Sequence, residues 1–216
     1  MTRLGVASVR SHRHLSYSFL ECTVEKIENK KLANTVLYLL ERCGSQRPGK
    51  QALLKMLWYA DYWHYREHLS VVTDAKYLAM PNGPVIENYL AVFEAMEKAG
   101  FLELELVPVY GKPRPKEEYH PKVESDPGLF AESELAILEK VIAECAGRSG
   151  TELSRRTHRE GPWLAVWNEA QPNQPIHRSV FRWLDNLPDE NDCAQAERSL
   201  ERPETAKFIA KLRQTA

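Results

Sequence analysis

Residues 51–68 read Gln51-Ala52-Leu53-Leu54-Lys55-Met56-Leu57-Trp58-Tyr59-Ala60-Asp61-Tyr62-Trp63-His64-Tyr65-Arg66-Glu67-His68, and the fold turns on how this stretch is read. Leu53, Leu54, Leu57, Trp58 and Asp61 fall on adjoining rows of a 3.6-residue period, while Met56, Tyr59 and Trp63 widen the stripe. That pattern is an α-helix. A helix apolar around so much of its circumference belongs at the centre of a domain.

Other helices flank it. Leu32, Val36, Leu39 and Leu40 recur at helical spacing from Lys31 to Cys43, and Gly44 stands where a helix commonly ends in a positive-φ residue. Asn82-Gly83 supplies a turn, and Pro84 suits the first position of a helix. Val85, Tyr89, Val92, Phe93 and Met96 continue that helix to about Ala99, with Gly100 closing it. Ala131 to Cys145 carries Leu135, Leu138, Val141 and Ile142 on one side. Ser149 and Glu152 have capping-box spacing and start a helix that runs to about His158. Trp163 to Ala170 is a short aromatic segment, and Val180 to Leu184 is a last apolar cluster.

One segment breaks the helical period. In Phe101 to Tyr110, Leu102, Leu104 and Leu106 alternate with Glu103 and Glu105, as in a strand with one buried face, and Gly111 to Pro115 turns the chain toward a partner strand over Glu117 to Val123. The expected fold is therefore mainly α (α+β): a multi-helix domain with a small antiparallel β-hairpin appended. Residues 1–28 read as an N-terminal extension, 29–187 as the helical domain, and 188–216 as an acidic tail with room for one helix.

With 216 residues, of which 43% are apolar, the chain has material for one real core. A net charge of −1 gives no global pull toward nucleic acid or anionic membranes. Cys22, Cys43, Cys145 and Cys193 form no CxxC pair, which fits reduced thiols. The first residues lack the apolar core of a secretory signal, and no run is long and apolar enough to span a bilayer. A cytoplasmic location is expected.

Three stretches resemble one known family. Gln51 to Asp61 with Trp63-His64 looks like the central-helix signature of the Panacea (SocA-like antitoxin) domain. Tyr77-Leu78-Ala79-Met80-Pro81-Asn82-Gly83-Pro84-Val85 is similar to that family's GPV turn and its lead-in. Glu152-Leu153-Ser154 with Thr157-His158-Arg159-Glu160-Gly161-Pro162-Trp163 resembles its late Leu-Ser, His and Trp motif. Order and spacing agree over roughly residues 30–176, with both chain ends outside the match. The resemblance implies a mostly helical domain with a small sheet, used as the antitoxin of toxin–antitoxin pairs: it binds a cognate protein toxin and either covers its active site or marks it for removal. It names no particular toxin.

Three constellations compete with or refine that reading. His64, Glu67 and His68 satisfy H-x-x-E-H, the metal-binding and base pattern of a metal-dependent hydrolase, but no third ligand is evident. His158 and Glu160 offer an imidazole and a carboxylate, yet no nucleophile elbow or phosphate loop accompanies them. Arg155, Arg156 and Arg159 with the basic N-terminal residues leave a nucleic-acid-binding regulator as a further alternative. The expectation is a non-enzymatic binder with no cofactor, no metal, no catalytic residue and no membrane partner. Its toxin contacts are expected at Tyr62 and Trp63, at Tyr77, Met80, Pro81, Asn82, Gly83 and Pro84, and at His158, Glu160 and Trp163, because exposed aromatic anchors and rigid turns are the usual material of interfaces.

Overall fold

The computed structural model describes residues 29–111 and 113–183; expectations for the N-terminal extension and for the acidic tail lie outside the described residues. Helix α1 (Lys30–Cys43) starts where the Asn29 side chain accepts the Leu32 amide at 2.9 Å, and it stops at Gly44, whose φ is +51°. Helix α2 (Lys50–His68) follows a short 3-10 turn. Every residue from Ala52 to His64 is buried, so α2 is the central helix its composition announced. Around it lie α3 (Tyr89–Lys98), α4 (Glu132–Cys145), α5 (Gly150–Thr157), α6 (Gly161–Leu164) and α7 (Val180–Trp183).

The capping box before α5 forms as read. Ser149 Oγ accepts the Glu152 amide at 3.2 Å, and Glu152 Oε2 accepts the Ser149 amide at 2.8 Å. Buried apolar side chains from Leu32 to Phe181 make one core, with Val36, Leu53, Leu57, Trp58, Leu138 and Leu153 fully enclosed. Phe181 of α7 meets Trp58, Tyr62 and Tyr65 edge-on, at centroid distances of 5.0, 5.7 and 5.6 Å. The last apolar cluster therefore closes the aromatic side of α2.

Strands form two sheets. β3 (Leu102–Val107) and β4 (Lys116–Pro121) are the expected antiparallel hairpin, with Leu104 opposite Tyr119. The second sheet was not foreseen: β1 (Tyr77–Met80) lies between β2 (Gly83–Ile86) and β5 (Gln174–Ile176), both antiparallel to it. Pro84 consequently does not open a helix. It sits in β2 opposite Ala79, and the helix begins only at Tyr89, after Asn88 turns the chain with φ of +58°. β2 is an edge strand, where the missing N–H of proline costs no ladder bond, so pairing with β1 wins over the helix-start preference. Among the described residues, no helix is long and apolar enough to cross a membrane.

Candidate functional site

The three sequence motifs meet at the β1–β2 turn. Pro81 and Asn82 form its tip and are exposed, and Gly83 follows with φ of +90°. Only glycine fits there, since a Cβ would stand 2.2 Å from Thr157 Oγ1 and 3.2 Å from Lys55 Nζ. The turn is thus pressed between the central helix below and the end of α5 beside it.

Two hydrogen bonds hold its backbone. Lys55 Nζ, on α2, donates to the Pro84 carbonyl at 2.7 Å, and Trp163 Nε1, on α6, donates to the Met80 carbonyl at 3.1 Å. Both side chains are buried. Trp163 is itself stacked between His158 and Trp167, at centroid distances of 4.2 and 5.1 Å. The indole is therefore fixed in the orientation that aims its N–H at the turn.

A set of ionisable groups lies under this clamp. Burial lowers Lys55 to about 7, although the nearby Glu160 charge opposes the shift. Glu160 accepts Trp58 Nε1 at 3.1 Å, and burial raises its carboxyl above the usual range. Burial and the Lys55 charge push His158 down, with the Pro81 backbone opposing. Burial, then Glu160, drives Tyr59 far upward. Lys55 and Glu160 are each shifted toward their neutral form, and His158 with them.

A second buried polar group supports β1. Asp61 is fully buried; its Oδ1 accepts the Thr73 amide at 2.7 Å, and its Oδ2 accepts Tyr77 Oη at 2.8 Å and the Thr73 hydroxyl. Burial raises this carboxyl despite those donors. Tyr77 therefore ties the start of β1 to α2, as Lys55 ties the far side of the turn.

The residues expected to touch a partner divide by depth. Tyr62, Trp63, Tyr77, Gly83, Pro84 and Trp163 are buried, Met80, His158 and Glu160 are half-buried, and Pro81 and Asn82 are exposed. Tyr62 stacks on Trp58 at 5.4 Å. Trp63 lies under Lys140 Nζ and the Arg156 guanidinium, each 5.1 Å from its ring, away from the turn. Lys55, Asp61 and Thr157 lie in the motifs but were not among the expected contact residues, and Thr73 was in neither; the local signal for Lys55 was a lone cation between Leu54 and Met56 in an apolar helix.

The H-x-x-E-H stretch is also placed. His64 is buried, with Nδ1 donating to the Ser70 carbonyl at 2.6 Å and Nε2 accepting from Ser133 Oγ at 3.2 Å, while Glu67 pairs with Lys140 at 2.9 Å. Among the described residues, no three His, Cys, Asp or Glu side chains gather as a metal-ligand group. Arg156 is committed to Glu144 at 2.8 Å and to the faces of Tyr59 and Trp63, leaving Arg155 and Arg159 exposed beside it.

In comparisons with curated proteins and with solved structures, nothing matches the chain. The family model of the SocA-like antitoxin, Panacea domain, matches residues 53–164, just over half of the 216. That span opens in α2, crosses the clamped turn and ends at α6, so it contains every side chain that holds the turn. The chain belongs to the SocA-like antitoxin (Panacea domain) family.

Proposed function

We propose that this protein is an antitoxin that works stoichiometrically, binding a cognate protein toxin in the cytoplasm and neutralising it without catalysis or a cofactor. One observation carries the reading: motifs from three distant parts of a Panacea-family chain converge on a single turn whose backbone is held from within by Lys55 and Trp163. A turn already fixed in shape loses little conformational freedom on binding, which leaves more of the contact energy as affinity.

In this reading Pro81 and Asn82 touch the toxin directly, with Met80, His158 and Glu160 at the margin of the contact. Tyr77, Gly83, Pro84 and Trp163 act from inside, by setting the shape of what is presented. Tyr62 and Trp63 contribute as part of the central helix on which that shape rests.

The test is co-expression with the products of the flanking genes. Induction of one of them should arrest growth, and the full chain should relieve the arrest and co-elute with that product. Asn82→Arg should weaken relief at least about tenfold in the amount of antitoxin needed, with an unchanged melting temperature, because the side chain is exposed. Flanking products that are harmless, or an arrest that the chain does not relieve, would end the reading.

A further inference from the structure

A groove of about 1410 Å³ opens beside the clamped turn, and Met80, Pro81 and Asn82 form one of its rims. The first turns of α2 make its floor. One wall is apolar, built from Val85, Tyr89, Leu106 and Val109, and Leu106 is 57% exposed although it continues the face of the hairpin that elsewhere packs on the core. Residues of the 44–49 loop, and residues 147–152 leading into α5, also line the groove.

The charges of this groove do not balance. Its acidic groups are already engaged: Glu117 pairs with Lys50, Glu118 pairs with Lys116 at 2.7 Å, and Glu152 accepts the Ser149 amide. Arg114 and Arg148 also line the groove with no carboxylate within ion-pair distance among the described residues, Arg148 Nε donating only to the Glu144 carbonyl at 2.5 Å; Arg47 is held to His120 Nδ1 at 2.7 Å, and Lys55, buried and shifted toward its neutral form, adds little to the charge. Helix α2 adds to the excess, because its N-cap is Gly49, which has no side chain to satisfy the first amides.

We propose that the groove is the docking site for one segment of the toxin, a stretch of chain that is apolar on one side and acidic on the other. This rests on the antitoxin reading above and extends it from the turn to its neighbouring surface. The apolar wall takes the aliphatic side of the segment, and the arginines take its carboxylates, for which the guanidinium fork is suited. The groove exceeds the usual size of a small-molecule site. A nucleic acid would leave the aliphatic wall unused, and the whole chain has a net charge of only −1.

The probe is a fluorescein-labelled peptide alternating leucine and glutamate, titrated against the full chain, with leucine–lysine and serine–glutamate peptides as controls. The leucine–glutamate peptide should bind at least about tenfold more tightly than either control and weaken as salt is raised. Arg114→Glu and Arg148→Glu together should weaken it by about tenfold or more at an unchanged melting temperature. Arg114→Glu alone is the safeguard if the pair disturbs folding. Equal binding of the lysine peptide, or binding indifferent to both variants, overturns the inference.

The protein's own tail is the rival occupant, since residues 185–204 contain seven acidic and two basic side chains. Peptide binding that appears only when Asp189, Glu190 and Asp192 are changed to Asn, Gln and Asn in the full chain assigns the groove to that tail and overturns the proposal. In the co-expression assay, relief that survives the double arginine variant removes the groove while leaving the antitoxin reading intact. If instead no flanking product is toxic, the antitoxin reading falls, and with it the assignment of the segment to a toxin.

Discussion

The ammonium of Lys55 and the carbonyl of Pro84 meet at 2.7 Å inside the protein, joining the central helix to the outer strand of the turn. A lysine buried this deeply gives stability a definite dependence on pH. Its folded-state value is about 7, whereas an unfolded lysine titrates near 10.4. Between those values the unfolded chain holds a proton that the folded chain has released, so stability rises with pH; below about 7 both states are protonated and the full cost of burying the charge is present.

Urea titrations at several values from pH 7 to pH 10 should therefore show the parent gaining on Lys55→Met by about 1 kcal/mol per pH unit in that window. Parallel stability curves for the two proteins would refute the assignment.

Gly83 and Thr157 should behave as a coupled pair. Gly83→Ala places a Cβ 2.2 Å from Thr157 Oγ1 at a φ of +90°, and should destabilise by about 3 kcal/mol through clash and backbone strain together. Removing the hydroxyl in Thr157→Ala should recover only the clash. In a double-mutant cycle by thermal denaturation, the pair should lose at least about 1 kcal/mol less than the sum of the singles. Simple additivity would show that the turn relaxes away from α5.

Asp61 should tolerate amidation better than truncation. Burial raises its carboxyl, and it accepts from the Thr73 amide, the Thr73 hydroxyl and Tyr77 Oη. Asp61→Ala leaves the Thr73 amide and hydroxyl without their acceptor, while Tyr77 Oη keeps the Leu57 carbonyl at 2.9 Å, and should cost about 3 kcal/mol; Asp61→Asn keeps one oxygen and the volume, and should cost about half as much. Because the folded-state value is raised, the aspartate contributes stability that is fully present below its unfolded value and is lost as pH rises through the folded one. Relative to Asp61→Asn, the parent should accordingly weaken on going from acid toward neutral pH. The opposite slope would mean that the donors outweigh burial.

Ser149→Ala should cost about 1 kcal/mol by opening the capping box at the start of α5. Glu152→Ala should cost a further part of that amount, since its carboxylate accepts the Ser149 amide, a bond that Ser149→Ala leaves in place. A melting curve unchanged by Ser149→Ala would leave the box without energetic weight.

The helices were legible where a long apolar period met a clear stop signal. Gly44 and Gly100 have the positive φ that their positions suggested, and α2 is buried over the span its composition marked. The β3–β4 hairpin was legible from alternation along Leu102 to Leu106, but the buried face expected there reaches only Leu102, with Leu104 36% and Leu106 57% exposed where the hairpin extends past the helices. The sheet of β1, β2 and β5 was not. Its strands are only three or four residues long, they contain Pro84 and Pro175, and β5 pairs with β1 across almost a hundred residues, as Tyr77 with Ile176. No local period survives in pieces so short.

The candidate site was legible as three motifs but not as an object. Each motif reads locally as a helix face, a turn or a helix end, and what unites them is Lys55 with Pro84, Trp163 with Met80, and Thr157 against Gly83. Depth was hidden for the same reason. Tyr62 is enclosed partly by Phe181, a residue of a four-residue helix more than a hundred positions away.

The span from Lys55 to Trp163 also bears on how the protein comes into being at the ribosome. The turn at Pro81 and Asn82 is synthesised early, but the indole that holds Met80 and the strand that flanks β1 emerge some eighty to ninety residues later. Until then the turn has its sequence without its support. A nascent or clipped chain that ends before α6 would carry the residues of the turn without its form, so under the proposed antitoxin function binding should arrive in one step, late in translation, with the cooperative closure of the fold.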